Sequence, residues 1–190
     1  MKMDYSTLHR IGNGDKAGAL HLEMVSSGYD PNDLRLGTTI VEEPVAFDYH
    51  SGRYHWDQLG TTWATLRIYS DRLVNLLSQN QFSGWRPYPI IIRGKRGELL
   101  EGYSGISILG RAGSLDMSRC ERTLLKPYVK SGRWTPGFRG IYFEDDRWDG
   151  SDIFTAENTG YFFCTDRVKE AISRLKPTNI RFIRLVEYEL

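Results

Sequence analysis

The chain has 190 residues, which is enough for one compact domain or two small ones. Its 25 Lys and Arg residues against 24 Asp and Glu residues leave a net charge of +1, which excludes a generic polyanion binder but leaves room for a local basic patch. Aromatic residues make up 13% of the chain and occur along its whole length, so the sequence is not that of a disordered protein.

The sequence predicts a cytoplasmic protein. Its two cysteines, Cys120 and Cys164, belong to no CxxC pair and no Cys/His cluster, so neither a disulfide framework nor a zinc knuckle is expected. The first residues do not resemble a signal peptide, and no uncharged stretch is long enough to cross a membrane. No membrane association is therefore expected.

Short apolar runs alternate with turn-rich stretches, which indicates many strands and few helices. The predicted strands are Tyr5 to Ile11, Thr38 to Asp48, Ala64 to Tyr69, Tyr88 to Arg93, Gly105 to Leu109, Gly140 to Phe143, Tyr161 to Cys164 and Ile180 to Val186. Helices are predicted from Asp71 to Gln79 and from Asp166 to Leu175, each with one apolar face. A third, weaker helical pattern runs from Asp116 to Leu125 and ends before Pro127.

The two better helices belong to an internal similarity. Residues 69–78 align without gaps to residues 164–173, at an offset of 95 residues. In both copies an aromatic strand precedes the helix and a second apolar strand follows it, which predicts two similar β-α-β units. Chance similarity between two amphipathic helices is the alternative. The predicted fold class is α+β with mixed sheets, with 1–190 as one domain or as two fused, similar halves, 1–95 and 96–190.

Both copies carry residues suited to helix ends. The predicted N-terminal caps are Ser70 and Asp71 in the first copy and Thr165 and Asp166 in the second. Gly84 and Asn179 are suited to a left-handed residue after the helix. If the repeat is real, the acidic residues have a structural role in the helices, which argues against a catalytic one.

Charge changes sign in the second half of the chain. Residues 111–139 carry a net charge of +5, whereas residues 144–157 carry a net charge of −5. The two stretches could neutralise each other, or they could be opposed solvated faces. The basic stretch from Arg111 to Arg139 also leaves open a nucleic-acid-binding module, but the adjacent acidic stretch argues against it.

The acidic run from Glu144 to Asp152 does not predict a metal site. Counted from Asp145 as a calcium-binding loop, its third position is Arg147 and its twelfth is Ala156, so two required oxygen ligands are missing. No Walker loop, nucleophile elbow, zinc-protease motif or dinucleotide fingerprint occurs. No metal, no cofactor and no catalytic residue is therefore predicted.

One region suggests a small hydrolase or transferase as an alternative function. His50 and His55 flank a turn at Ser51 and Gly52 and lie beside Tyr49, Tyr54 and Trp56 in the sequence. A cluster of this composition could line a pocket with an acid-base group. Aromatic residues on a surface hairpin are the simpler explanation.

Other aromatic residues are paired with arginine in segments that look like loops. Trp85 precedes Arg86, and Trp134 follows Arg133. Tryptophan and arginine are typical anchors of protein interfaces, although for any single tryptophan a place in the core is the more common outcome.

Several short segments carry a resemblance to a known group of proteins. They are Leu109-Gly-Arg-Ala-Gly-Ser-Leu-Asp, Trp148-Asp-Gly-Ser-Asp-Ile-Phe, Tyr161-Phe-Phe-Cys-Thr-Asp-Arg-Val-Lys-Glu-Ala-Ile, Thr178-Asn-Ile-Arg-Phe and, in the first half, Ser70-Asp-Arg-Leu. With these the chain resembles immunity proteins of bacterial polymorphic toxin systems, close to the domain-of-unknown-function and double-CxxCG immunity families. The chain lacks both CxxCG pairs, so the resemblance carries over no zinc site.

The resemblance implies a non-catalytic protein that binds and neutralises a cognate toxin. Without an export signal, the toxin is expected to act in the cytoplasm, for instance as a nuclease. Nucleic-acid-directed toxins carry basic clefts, so an acidic loop with an aromatic anchor is the predicted partner-binding surface. Its residues are Glu144, Asp145, Asp146, Trp148, Asp149 and Asp152.

Overall fold

The computed structural model describes residues 3–14, 17–25, 28–127, 129 and 131–190. It confirms the predicted α+β fold with mixed sheets. The α-helices of the described residues are α1 (Pro31–Leu36), α2 (Asp71–Gln79) and α3 (Asp166–Arg174). The strands are β1 (Leu8–Asn13), β2 (His21–Met24), β3 (Val45–Ser51), β4 (Gln58–Thr61), β5 (Arg67–Ser70), β6 (Trp85–Tyr88), β7 (Ile90–Arg93), β8 (Leu99–Leu100), β9 (Tyr103–Ile108), β10 (Gly110–Ala112), β11 (Glu121–Leu125), β12 (Thr135–Arg139), β13 (Ile153–Ala156), β14 (Phe162–Thr165) and β15 (Ile180–Arg184).

The strands of the described residues form two large sheets and one separate hairpin. The larger sheet has the order β6-β9-β5-β4-β2-β3-β7-β8, and the smaller has the order β10-β13-β14-β1-β15. Strands β11 and β12 pair only with each other among the named strands. The first five strands of the larger sheet, β6-β9-β5-β4-β2, correspond in order to β15-β1-β14-β13-β10 of the smaller sheet. Strands β3, β7 and β8 extend the larger sheet.

The two predicted β-α-β units are confirmed, and the equivalence includes the strand before each unit. Strands β4 and β5, helix α2 and strand β6 begin 95 residues before β13, β14, α3 and β15, respectively. Strand pairing keeps the same offset. The pair Gln58–Tyr69 in the larger sheet corresponds to Ile153–Cys164 in the smaller one. In the same way Arg67–Ile106 corresponds to Phe162–Ile11, and Trp85–Ile108 corresponds to Ile180–Asn13.

The two units exchange their central strands. Strand β9, which follows the first unit in the chain, lies between β5 and β6, whereas β1, near the start of the chain, lies between β14 and β15. Strands β1 and β9 also begin 95 residues apart, at Leu8 and Tyr103. Each sheet is therefore completed by a strand from the other half of the chain, and the halves interlock.

A shared core lies between the two units. In α2 the buried residues Leu73 and Leu77 are four positions apart, and Val168 and Ile172 have the same spacing in α3, so each helix has one apolar face. These faces meet residues of both sheets in one cluster, whose equivalent pairs are Ile11 and Ile106, Tyr69 and Cys164, Leu73 and Val168, and Leu77 and Ile172. Each sheet also covers a second core of its own.

The N-terminal caps differ from the prediction. Ser70 and Thr165 occupy the N-cap positions of α2 and α3, but neither side chain makes a cap hydrogen bond. Their hydroxyls lie instead 2.8 Å from Asp57 Oδ1 and 3.3 Å from Asp152 Oδ1. Asp71 and Asp166 are the first helical residues, where a carboxylate is favoured by the helix dipole.

The left-handed residues are present, but two of them were not predicted. Gln81 (φ 54°) and Lys176 (φ 50°) directly follow the C-cap residues of the two helices, Asn80 and Leu175, and provide the left-handed turn. Gly84 (φ 85°) and Asn179 (φ 62°) are also left-handed, but they turn the chain into the next strand.

The predicted helix Asp116 to Leu125 is wrong. A 3₁₀ turn covers Met117–Arg119, and Glu121–Leu125 is strand β11, which pairs with the unpredicted strand Thr135–Arg139. The predicted strand Gly140 to Phe143 does not form either. A strand partner fourteen residues away decides this region, and helical spacing in a short segment cannot reveal such a partner.

Other predicted boundaries shift where a local break intervenes. The strand predicted from Thr38 begins only at Val45, and the run from Tyr88 to Arg93 divides between β6 and β7. The strand predicted from Tyr5 starts with a 3₁₀ turn. Strands β2 and β4 and helix α1, which span four to six residues each, were not predicted.

Candidate functional site

A buried carboxylate, Asp57, connects the two units. Its side chain is only 5% exposed and lies directly before β4. The Arg72 guanidinium donates hydrogen bonds to both carboxylate oxygens, and the Ser70 hydroxyl donates one at 2.8 Å. Thr178, which belongs to the second unit, donates its backbone N–H at 2.7 Å and its hydroxyl at 2.8 Å. The carboxylate thus links the residue before β4 to the loop between α3 and β15.

Asp152 occupies the equivalent position in the second half. It accepts hydrogen bonds from the backbone N–H of Ser83 at 3.0 Å and from the hydroxyl of Thr165 at 3.3 Å, and Arg167 lies 3.4 Å away. Ser83 precedes Thr178 by 95 residues, so both links follow the same symmetry. Asp152 was predicted to contact a partner, but the structure makes it a buried structural anchor.

The environment of Asp57 fixes its charge. Burial raises the pKa of this carboxyl, but hydrogen bonds from Arg72, Thr178 and Ser70 lower it by more than burial raises it. The pKa therefore lies well below its ordinary value of 3.8. The group is therefore ionised at neutral pH and holds no proton to transfer. Its role is structural.

The fold also brings a histidine next to a cysteine. His9 in β1 pairs with Cys164 in β14, and Asp166 Oδ1 lies 2.6 Å from His9 Nε2. The His9 side chain is 3% exposed and the Cys164 thiol is fully buried. Burial raises the pKa of the Cys164 thiol well above its ordinary value, so the thiolate does not form near neutral pH. Cys164 acts as a small core residue, as its apolar strand indicates.

Trp148 is partly buried and packs against the core of the second half. Its ring lies 5.6 Å from that of Phe154, and the side chain packs against the cluster that contains Phe143 and Phe163. The indole nitrogen is buried, and no hydrogen-bond partner for it lies among the described residues. Trp148 was predicted to anchor a partner, but most of its surface is already used inside the protein.

We expect Trp148→Ala to lower the free energy of unfolding by about 2 kcal/mol, because it removes a large apolar contact with Phe154. Trp134→Ala is the matched control, since Trp134 is 58% exposed and its removal should change stability by less than about 0.5 kcal/mol. Urea denaturation followed by circular dichroism measures both. Equal stability of the two variants would contradict this role for Trp148.

Asp145 is held by two groups of its own chain. The Tyr5 hydroxyl donates to Asp145 Oδ1 at 2.5 Å, and Arg119 Nη1 donates to the same oxygen at 2.8 Å. Burial and the hydrogen bond to Asp145 raise the pKa of Tyr5 to about 12. The basic and acidic stretches therefore do meet here, through Arg119 and Asp145.

The remaining acidic residues differ in their contacts. Glu144 pairs with Arg147 at 3.2 Å, and Asp149 accepts the backbone N–H of Arg111 at 2.8 Å. Asp146 is exposed. Of the predicted partner-binding residues, Asp146 is therefore the acidic group most available to another molecule.

Of the two predicted histidines, His55 is found in the lining of a cavity. His55 lies at the wall of a cavity of about 400 Å³, together with Arg53, Lys95, Arg96 and Glu98. His50 is absent from this lining; its Nδ1 lies 3.9 Å from Glu23 Oε2. The cavity forms where the end of β3 meets the turn between β7 and β8, two segments that are brought together by the parallel pairing of β3 and β7.

The aromatic residues beside His55 mainly contact each other. Tyr54 and Trp56 stack with ring centroids 5.3 Å apart, and the Arg53 guanidinium lies 4.7 Å from the centroid of Tyr54. Tyr54 is 41% exposed. This arrangement agrees with the simpler expectation of surface aromatics, although Tyr49 does line the cavity.

The hairpin of β11 and β12 carries an exposed apolar and cationic face. Arg122 pairs with Phe138 and Leu124 pairs with Pro136, so these four side chains share one face of the ribbon. Leu124 is 58% exposed, and Arg122 and Pro136 are also exposed. On the other face Gly137 is buried and Leu125 is half-buried, whereas Glu121, Thr135 and Arg139 are exposed.

Residues near the hairpin add to this surface. Among the large apolar side chains that are exposed, Met117 (41%), Leu124 (58%), Val129 (59%) and Trp134 (58%) fall within eighteen consecutive positions. The cations Lys126 and Arg133 are exposed in the same segment, and Lys130 lies outside the described residues. We call residues 117–127, 129 and 131–138 the hairpin surface.

The paired aromatic and arginine residues signal this surface only in part. Trp134 is exposed on the hairpin, whereas Trp85 packs against the shared core and donates its Nε1–H to the Phe82 carbonyl at 2.9 Å. The two sequences look alike. Only the tertiary structure separates the exposed tryptophan from the packed one.

A comparison of the chain with models of protein families finds no match, and a comparison with curated proteins finds no significant one. Among the described residues, no group of three or more His, Cys, Asp and Glu side chains is placed to hold a metal ion. In the same part of the chain, no helix is long and apolar enough to cross a membrane.

Proposed function

We propose that this protein is an immunity protein that binds a cognate toxin stoichiometrically and neutralises it in the cytoplasm. Its action is binding, without catalysis. The observation that carries the proposal is the hairpin surface, where four large apolar side chains and several cations are exposed within residues 117–134. Such a combination of apolar and cationic groups is typical of protein interfaces.

The position of the resembling segments supports this division of roles. The segments 148–154, 161–172 and 178–182 fall mainly on β13, β14, α3 and β15, which belong to the duplicated scaffold. The hairpin surface lies between the resembling segments 109–116 and 148–154, and the described residues at the equivalent positions of the first half, 22–43, contain helix α1 instead of a strand hairpin. A shared scaffold in which one segment differs between the two halves suits proteins that must each recognise a different partner.

The hairpin surface takes the place of the acidic loop as the main proposed interface. Most acidic groups of residues 144–152 are engaged within the chain, and Trp148 is partly buried against the core. Arg122, Lys126 and Arg133 instead favour a toxin surface with an apolar centre and acidic groups around it.

We expect Trp134→Ala to weaken toxin binding about thirtyfold, which corresponds to a hot-spot loss of about 2 kcal/mol. The matched control is Trp63→Ala, because Trp63 is 50% exposed but lies in the turn between β4 and β5. The probe is a catalytically inactive form of the toxin encoded beside this protein's gene, with affinity measured by isothermal titration calorimetry.

The same variants are then compared in cells that express the active toxin in the cytoplasm. Wild type and Trp63→Ala should protect growth, and Trp134→Ala should protect less at equal protein level. Asp146→Lys tests the acidic loop and should leave affinity unchanged. Equal losses in both tryptophan variants, a large loss in Asp146→Lys alone, or no binding of the toxin would each contradict the proposal in its present form.

A further inference from the structure

We infer that the cavity beside His55 binds a small organic phosphate, namely a phosphate monoester attached to a compact apolar or aromatic group. The site is separate from the hairpin surface and does not depend on the proposed immunity function. It is built from the end of β3, the turn between β7 and β8, and Leu20. Its volume of about 400 Å³ falls within the range of ordinary small-molecule sites.

Two glycines allow the cavity walls to approach each other. Gly52 has a φ of 86°, and a Cβ atom there would lie 2.0 Å from the Ala19 carbonyl oxygen. Gly94 leaves space for Glu98, whose carboxylate would come within 2.4 Å of a Cβ atom at that position. A larger residue at Gly52 would therefore displace the backbone at Ala19, whereas one at Gly94 would displace the Glu98 side chain.

Glu98 is occupied by the turn in which it lies. Its Oε2 accepts the backbone N–H of Arg96 at 2.8 Å, and hydrogen bonds from the backbone of Glu98 itself and of Arg96 lower the pKa of the carboxyl below its ordinary value. The nearby Asp48 lies 3.3 Å from Arg93. Both carboxylates near the cavity thus already have partners.

The cations of the lining make the cavity positive. Arg53, Lys95 and Arg96 against Glu98 leave a net charge of +2 when His55 is neutral. In the described part of the chain, the contacts of Arg53 and Lys95 are with aromatic rings, those of Tyr54 and Tyr49, rather than with carboxylates. Their charges are therefore available to an anion.

The charge and the remaining lining together define the ligand. A phosphate monoester carries close to two negative charges at pH 7, which match the net charge of the lining, whereas a carboxylate supplies only one. Leu20, Tyr49 and Leu100 provide an apolar wall beside the cations. Inorganic phosphate would leave that wall unused, so the organic group contributes to affinity.

The test is a calorimetric titration with phenyl phosphate at low ionic strength. We expect one saturable site, with binding about tenfold weaker for benzoate and for inorganic phosphate, which lack the second charge and the apolar group, respectively. The double variant Arg53→Gln/Lys95→Gln should bind phenyl phosphate about tenfold more weakly. Both side chains are exposed, so this variant is expected to keep its fold, and thermal unfolding checks it.

Arg133→Gln is the matched control, because Arg133 is an exposed cation on the hairpin surface and does not line the cavity. It should leave the affinity unchanged. An equal loss in this control would show non-specific attraction to anions and overturn the site. Absence of saturable binding by phenyl phosphate, or equal affinity for benzoate, would overturn the assignment of a phosphate monoester.

Discussion

Asp57→Ala is expected to lower the free energy of unfolding by about 3 kcal/mol at pH 7, because it removes a buried carboxylate that holds Arg72, Ser70 and Thr178. The loss leaves the Thr178 N–H without its partner, while the half-exposed Arg72 can return to water. Urea denaturation measures the change. Asp48→Ala is the control, since its exposed pair with Arg93 should contribute less than about 0.5 kcal/mol.

The stabilisation by Asp57 should depend on pH in a defined direction. The pKa of this carboxyl is lower in the folded protein than its ordinary value of 3.8, so the contribution is complete above that value and decreases as the pH falls below it. The difference in stability between wild type and Asp57→Ala should therefore become smaller as the pH is lowered from about 5 to about 2, the approximate range in which this carboxyl is protonated. A difference that stays constant across this range would show that charge does not explain the effect.

Ile11→Ala and Ile106→Ala should each lower the free energy of unfolding by about 3 kcal/mol, because each removes a fully buried side chain from the shared core. The two residues are equivalent under the 95-residue offset, and each is 1% exposed. The unfolding of both variants should remain a single cooperative transition, since each of their strands completes the sheet of the other half.

Denaturation followed by both circular dichroism and tryptophan fluorescence tests this cooperativity. Ile40→Ala is the control, because Ile40 is 74% exposed and its loss should be within about 0.5 kcal/mol. Two separate transitions, with Ile11→Ala affecting one and Ile106→Ala the other, would mean that the halves unfold independently. Such a result would contradict the interlocked architecture.

The local elements of the repeat could be read from the sequence. Helix α2 has the predicted limits Asp71 and Gln79, and α3 ends one residue before its predicted end at Leu175. Both helices are defined by apolar residues four positions apart and by a polar residue before the first turn. These are interactions between near neighbours in the chain, so the sequence alone determines them.

The roles of individual polar residues could not be read in the same way. Ser70 and Thr165 look like helix caps, but their hydroxyls bind Asp57 and Asp152, which lie thirteen residues earlier in the chain. Trp148 looks like a loop residue, but it packs against Phe154. In each case the contact formed in the folded protein differs from the one that the neighbouring sequence predicts.

The sequence by itself determined the α+β class, the two β-α-β units and their 95-residue offset, because these depend on periodicity and on local chain geometry. Only the tertiary structure decided that β1 and β9 exchange between the units, that the hairpin surface is exposed and that His55 lines a cavity. Each of these depends on contacts between segments distant in the chain. Strand pairing is set by which backbones meet in space, and no short stretch of sequence carries that information.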